Sequence, residues 1–505
     1  MRAAALAVVV LAARVAAAKP GRRHDSVMLK SIVSGMPGGL GKPAGQRRGP
    51  RRERGQAMIY GLFLIMGAVV ALFFLFNTGQ LSAEKSTLVN TGDAVAYSAG
   101  VMNARTLNYQ AYTNRAMLAN TVAIAQLVSL SSWAKHAALL GQVPSSGDGE
   151  DIIAQFSNVN WSKYPVYWPA VYTAQFAATY LEQLNERSGG FLSLDGKSPL
   201  ESLAYASDQL VRVKLMTAQA VAHAGLIPAR QVVMEQVAKA NYVNDGEVHV
   251  SQLSLVTGGD ITGFVSRYSG NDRGRFAEAA KTAANLDSFV PKRSWLMPAL
   301  YPDKCSYMLD WLSRRGGTEL IGFDEWKALD TLSEWRWKMT KSGKCVLSEH
   351  PVAYGGTQAA DKPASDADFS RYDQARIVNP GAGALAQYSA SSAAWGYSGL
   401  PSFYDLSKSA LQEDDPILRF AVHIRRPVSE TRTSEGRSDI RNSGADNRLA
   451  HGLNNFQATP AGGEELAAVS ASEVFFERAD DNVYGAKSGK PREIGSLFNP
   501  YWQVR

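Results

Sequence analysis

Cysteine is scarce: Cys305 and Cys345 are the only two in 505 residues. They make neither a CxxC redox pair nor a Cys-rich zinc set. The seven histidines, His24, His136, His223, His249, His350, His423 and His451, include no H-E-x-x-H pair and no i,i+4 pair, so there is no metalloprotease signature. There is no G-x-S-x-G elbow. A phosphate loop requires G-x-x-x-x-G-K-[ST], and Gly196-Lys197-Ser198 fails because Gly190 lies one residue too far upstream. These absences remove the commonest hydrolase and nucleotide-binding readings. The net charge of +7 is local: residues 1–54 hold 12 basic and 2 acidic residues, leaving 41 basic and 44 acidic for the rest. A nucleic-acid binder carries its basic surface on the folded domain, and this chain does not.

One long apolar run is present. Met58–Phe76 has nineteen residues without a charge. As a helix it spans about 28 Å, close to the roughly 30 Å hydrocarbon core of a bilayer. Arg47, Arg48, Arg51, Arg52 and Arg54 precede it, and Asn77-Thr-Gly-Gln80 follows. The positive-inside bias puts the basic flank in the cytoplasm and the long remainder outside. A buried core helix is the alternative. Upstream, Met1–Ala13 looks like a short signal peptide with Val15–Ala18 as its cleavage site, but Arg14 interrupts it. A cleaved signal would also reverse the charge bias. Residues 1–54 are therefore read as a disordered basic extension, with the working N-terminus at Met28 or later.

After the anchor (55–80), apolar and small residues recur at three and four through Leu118, and Ala116–Leu140 continues as helix to Gly141–Pro144. Trp168–Arg187 and Pro199–Tyr242 are further helical patterns, the second broken near Gly225–Pro228. The region 81–243 is thus helical. From Asn244 the period changes to two. Strands are expected at Glu247–Thr257, Phe289–Met297, Glu319–Phe323, Leu418–Arg425 and Val469–Glu477, with a helix at Phe276–Leu286 and loops over 350–395 and 428–465. The fold class is α+β: a single transmembrane helix running into a helical region, then a strand-rich α+β domain (244–505) with long loops.

Asp405-Leu-Ser407-Lys-Ser409 matches D-x-S-x-S, the metal-binding motif of von Willebrand factor A domains, in which a carboxylate and hydroxyls hold Mg²⁺. A helix N-cap by Asp405 or Ser407 explains the same residues, and no metal is assigned. Outside the cytoplasm Cys305 and Cys345 are candidates for a disulfide closing a loop of about 40 residues, worth about 2–4 kcal/mol; two free thiols are the alternative. The clusters Trp326, Trp335, Trp337, then Trp395 and Tyr397, then Phe498–Trp502 read as core or hairpin packing, with interface use the remaining option.

Two stretches are more specific. Arg54–Leu64, Phe74–Gln80, Lys85–Asn90, Asp93–Gly100, Ala104-Arg105, Asn108, Tyr112–Arg115 and Asn120 resemble the Flp pilus-assembly TadE/TadG-like family, and Ser472–Phe476 with Leu497–Gln503 resemble the C-termini of its longer members. The resemblance implies a bacterial inner-membrane protein with its bulk in the periplasm, whose partners are the lipid bilayer and other Tad/Flp assembly proteins. It implies no enzyme activity, no cofactor and no small-molecule substrate. The family's hydrophobic helix is pilin-like, yet cleavage after Gly55 would place Tyr60 where prepilin-peptidase substrates carry Glu, so the anchor is read as uncleaved. A pilus-tip adhesin and a tethered periplasmic enzyme are the competing expectations.

Overall fold

The computed structural model describes residues 56–142, 199–243, 245–253, 261–298, 305, 311–360, 375–391, 395–413, 415–427, 430–432, 465–477 and 495–505. The basic extension, the Trp168–Arg187 pattern and most of the 428–465 loop lie outside them. The chain divides into two compact units, Met1–Gly67 and Ala68–Arg505. In the first, the described residues belong to the start of α1 (Gln56–Gln142).

In the second unit α1 is buried along one stripe. Leu88, Val95, Ala99, Asn103, Leu107, Gln110, Asn114, Met117, Thr121, Ile124, Val128 and Ser132 recur at mostly three and four and are inaccessible. Such a stripe faces a core over its whole length. Antiparallel to it run α2 (Pro199–Gln209), a wide π-helical segment Leu210–Met216, and α3 (Thr217–Asn241). The expected break near Pro228 does not occur. Leu226 is buried before the proline, and Arg230 just after it donates to Asn103 Oδ1 at 3.0 Å, so tertiary contacts hold the helix on both sides of the proline.

Ten strands follow. β1 (His249–Gln252), β8 (Ile417–Pro427), β9 (Glu465–Phe476) and β10 (Trp502–Val504) form an antiparallel sheet in the order β1-β8-β9-β10. β3 (Trp295–Pro298), β4 (Trp311–Ile321), β5 (Glu325–Met339) and β6 (Cys345–Ala359) form an antiparallel meander. β2 (Val265–Tyr268) pairs with β7 (Phe403–Leu406). Helices α4 (Ile261–Phe264), α5 (Gly274–Asn285), α6 (Ala375–Val378) and α7 (Pro380–Ser391) complete the mixed α+β fold.

Two corrections concern the meander. Residues 325–339, given no strand by the sequence, form β5, and residues 350–395, read as loop, contain most of β6 together with α6 and α7. The meander lies between two helices: a Cβ on Gly355 would strike the Ser132 carbonyl of α1, and one on Gly356 would strike the Ala386 carbonyl of α7. With both faces covered, β5 is buried from Trp326 through Glu334 and shows no alternation. Glu349 of β6 accepts the N–H groups of Gly381 at 2.6 Å and Ala382 at 3.1 Å, supplying the open N-terminus of α7 with acceptors. Cys305 and Cys345 are joined in a disulfide, Cα atoms 6.1 Å apart.

α1 meets the other sheet as closely. A Cβ on Gly100 would lie 2.8 Å from Ser472 Oγ and from a Val504 methyl, and Gly92 stands against Ser470. Three apolar clusters succeed one another along the helix, around Leu88, around Leu107 and around Met117–Val128, each completed by residues of α2–α3 and of the sheets.

Replacing Gly355 with Ala is expected to destabilise the fold by about 1–3 kcal/mol, because both colliding atoms are backbone of packed elements. Gly225→Ala, with nothing near its Cβ position, should be neutral or stabilising by up to about 1 kcal/mol. Chemical denaturation of the detergent-solubilised chain compares the two. Mass mapping without reduction should recover Cys305 and Cys345 in one cross-linked peptide.

Candidate functional site

Several polar side chains in the buried stripe of α1 reach across to other elements, and the densest junction lies where residues 497–505 meet the helix. Asn108 straddles β10: its Nδ2 donates to the Trp502 carbonyl at 2.9 Å and its Oδ1 accepts the Trp502 N–H at 3.0 Å. Tyr501 bonds across to Glu477, just past β9, and Arg505 to Glu473 within it. The groups of Trp502 therefore point to the open edge of the sheet, and the Asn108 amide takes the place of a missing strand. An edge closed in this way cannot template further pairing at that residue.

One and a half turns on, Asn114 gathers four segments. Its Nδ2 donates to the carbonyls of Tyr404 (2.8 Å, β7) and Leu497 (2.6 Å, closing segment), and its Oδ1 accepts from Gln219 Nε2 (2.7 Å, α3). Gln219 also reaches Thr113 Oγ1 at 2.7 Å. From the other side Asp405 Oδ1 accepts the N–H groups of Leu497 at 3.0 Å and Leu406 at 2.8 Å. Its Oδ2 forms an ion contact with Arg275 at 2.9 Å. Burial pushes the Asp405 carboxyl up, opposed by the Arg275 guanidinium and the two N–H groups. Trp502 is itself buried, edge-on to Phe264 and Phe476. Side chains of α1 and β7 thus clamp Leu497 and Trp502, and Gln219 of α3 and Arg275 of α5 brace the clamping groups.

This geometry assigns the D-x-S-x-S residues. Asp405 belongs to a strand, not the turn its neighbours suggest, because β7 finds its partner β2 far away in sequence. The Arg275 guanidinium stands where a cation would sit. Ser407 Oγ accepts the Ala410 N–H at 3.3 Å and lies 3.0 Å from Ser409 Oγ, serving the short helical turn Ala410–Gln412. Among the described residues no group of three or more His, Cys, Asp or Glu is placed to hold a metal.

Further junctions tie α1 down elsewhere. Asp330 of β5, fully buried, accepts from Arg293 at 2.9 Å on both oxygens, from Arg314 at 2.9 Å and from Ser132 of α1 at 2.8 Å. At the opposite end Arg426 of β8 meets Glu84 at 2.8 Å and lies 4.4 Å over the Tyr242 ring. Buried charges of this kind persist because each has a partner, and removing one partner costs about 3–5 kcal/mol.

The other sequence candidates are distributed. Met58 and Phe76 bracket the apolar run and are 81% and 48% exposed, whereas Arg47, Arg48, Arg51, Arg52, Arg54 and Gly196–Ser198 lie outside the described residues. Among the described residues, α1 holds the one stretch long and apolar enough to cross a membrane, and nothing in the structure covers it. Trp326, Trp395 and Tyr397 are core residues, and Trp335 stacks on Trp311 at 6.1 Å. His223 packs against the Tyr404 ring at 4.7 Å. In the sequence Asn108 and Asn114 stand out only within the resemblance. Their signal was physical: an amide in a helix interior competes with its own backbone and needs an outside partner.

Compared with protein-family models, curated proteins and solved structures, the chain matches none. The site therefore stands on its geometry, a clamp that fastens the end of the chain to a helix.

Asn108→Ala leaves both Trp502 backbone groups without partners, a loss of about 1–3 kcal/mol. The expected readout is local: amide exchange over residues 495–505 accelerates well before the meander is affected. Uniform acceleration across the fold would contradict a clamp acting on this segment.

Proposed function

We propose that the chain is a membrane-anchored structural component of a bacterial Flp (tight-adherence) pilus assembly system, acting as an assembly factor or minor-pilin-like subunit and not as an enzyme. In this reading the basic flank Arg47–Arg54 lies in the cytoplasm, Met58–Phe76 crosses the inner membrane once, and the folded bulk faces the periplasm. Its partners are the bilayer and other Tad/Flp assembly proteins.

The observation that carries the reading is the division of labour within α1. Up to Phe76 its large apolar side chains are uncovered; from Leu88 onward the same helix is the spine of three core clusters. One element serves as anchor and scaffold, an arrangement suited to holding a rigid body at a membrane. Support also comes from the two family-like ends, because Asn108 and Asn114 touch Leu497 and Trp502 directly. Clamping the chain end to the anchor helix fits a protein whose task is to present a stable surface. The polar groups described above are spent on joining elements, which favours assembly over catalysis.

Deletion of the gene tests this directly. Loss of surface pili and of adherence is expected; normal pili and adherence would contradict the proposal. Fractionation adds sidedness: the protein should remain with inner membrane after shearing, whereas recovery with the sheared pili would favour a tip adhesin.

A further inference from the structure

We propose that the outward face of α1 between Tyr97 and Arg115 docks an acidic polypeptide segment of another protein. The face is made of Tyr97, Arg105, Tyr109, Tyr112 and Arg115, which on an ideal helix fall within an arc of about 120° opposite the buried stripe. All five are exposed, Tyr97 at 55% and Tyr112 at 63%.

Three observations point to the partner. First, the composition is that of an interface centre: tyrosine and arginine are the residues that carry binding energy at protein contacts, and tyrosine loses little rotamer freedom on being covered. The helix beneath is tied down by Asn103, Asn108 and Asn114, so the five side chains are presented on a preorganised element.

Second, the charge is one-sided. From Ala94 to Gln142 the helix contains no Asp or Glu, so neither arginine has the acidic neighbour at three or four residues that surface helices commonly supply. Among the described residues the Arg105 and Arg115 side chains have no ion pair or hydrogen bond. Several exposed cations elsewhere on the fold do: Lys408 pairs with Asp272, and Arg419 and Arg505 both pair with Glu473.

Third, the pattern disfavours a second copy. Two such faces packed about a two-fold axis would bring Arg105 of one copy towards Arg115 of the other with no carboxylate between them. A segment carrying Asp or Glu at matching spacing removes that repulsion and completes both guanidinium groups. A bilayer is a poor occupant too, since the face alternates cations and phenols without an aliphatic stripe. The proposal rests on this face alone and does not depend on the pilus assignment.

The test places p-benzoylphenylalanine at Tyr112 in the full-length membrane-inserted chain and irradiates intact cells. The expected product is an adduct with a different polypeptide whose linked peptide carries several Asp or Glu. The double variant Arg105→Glu/Arg115→Glu should lower its yield by about tenfold, while Arg105→Lys/Arg115→Lys keeps most of it. Both arginines are exposed and, among the described residues, unpartnered, so thermal unfolding of the variants should match the parent chain. An adduct only with a second copy, only with phospholipid, or with a peptide lacking acidic residues would overturn the proposal. So would no adduct, or a yield that ignores charge reversal.

Discussion

The described fold depends on close approach along one face of one helix. Where α1 passes the β8–β9 sheet, Gly92 and Gly100 stand against Ser470 and Ser472; where it passes the meander, Gly355 yields to the backbone at Ser132. Small residues at these crossings remove the side-chain layer that normally separates a helix from a sheet. Backbones then come near enough for short polar side chains to span the gap, which is why asparagine, serine and threonine can occupy core positions on α1. Asn108, Asn114, Ser129 and Ser132 reach partners on other elements at the distance that the small residues create. A larger side chain at a crossing would lift the helix away and strand those polar groups together, since packed cores transmit strain instead of absorbing it.

That arrangement explains which parts of the architecture were legible. The strands at Leu418–Arg425 and Val469–Glu477 were readable because their sheet has one face on α1 and one towards solvent, so burial alternates along β8 and β9. β5 was not, because Lys327, Asp330, Thr331, Ser333 and Glu334 are all buried in it; Asp330, Thr331 and Ser333 find Arg293, Asn379 and Glu349 far away in sequence, while Lys327 and Glu334 pair with Glu325 and Arg336 on the same strand. A rule that equates polar with exposed cannot find such a strand. α7 was hidden by its own composition. Its glycine and alanine read as loop, yet Ala382, Ala386 and Ala390 are buried there against the meander, and Gly356 makes room for them.

The site was legible in part. Asp405 stands out in the sequence through the D-x-S-x-S match, with a helix N-cap as the alternative, and neither reading implies the full burial of its carboxylate. Its partners were not foreseeable: Arg275 and the Leu497 N–H are brought to it by the β2–β7 pairing and by the closing segment. The aromatic residues at the C-terminus read correctly as packing, with Trp502 in the core and Phe498 against Phe276 and Phe403. What no local pattern contained was the meeting of Trp502 with α1, a contact spanning 394 residues. The amide clamp gives those residues a structural role.

The central claim is that a single unbroken helix changes environment, from uncovered apolar run to buried scaffold, between Phe76 and Leu88. A nitroxide scan along residues 58 to 100 of the disulfide-intact chain in lipid bilayers measures this most directly. Accessibility to oxygen dissolved in the lipid should be high at every position through Phe76. It should then give way to a helical period with minima at Leu88, Val95 and Ala99. A protein-buried periodicity already present between Met58 and Phe76, or loss of the helical period before Leu88, would contradict the account.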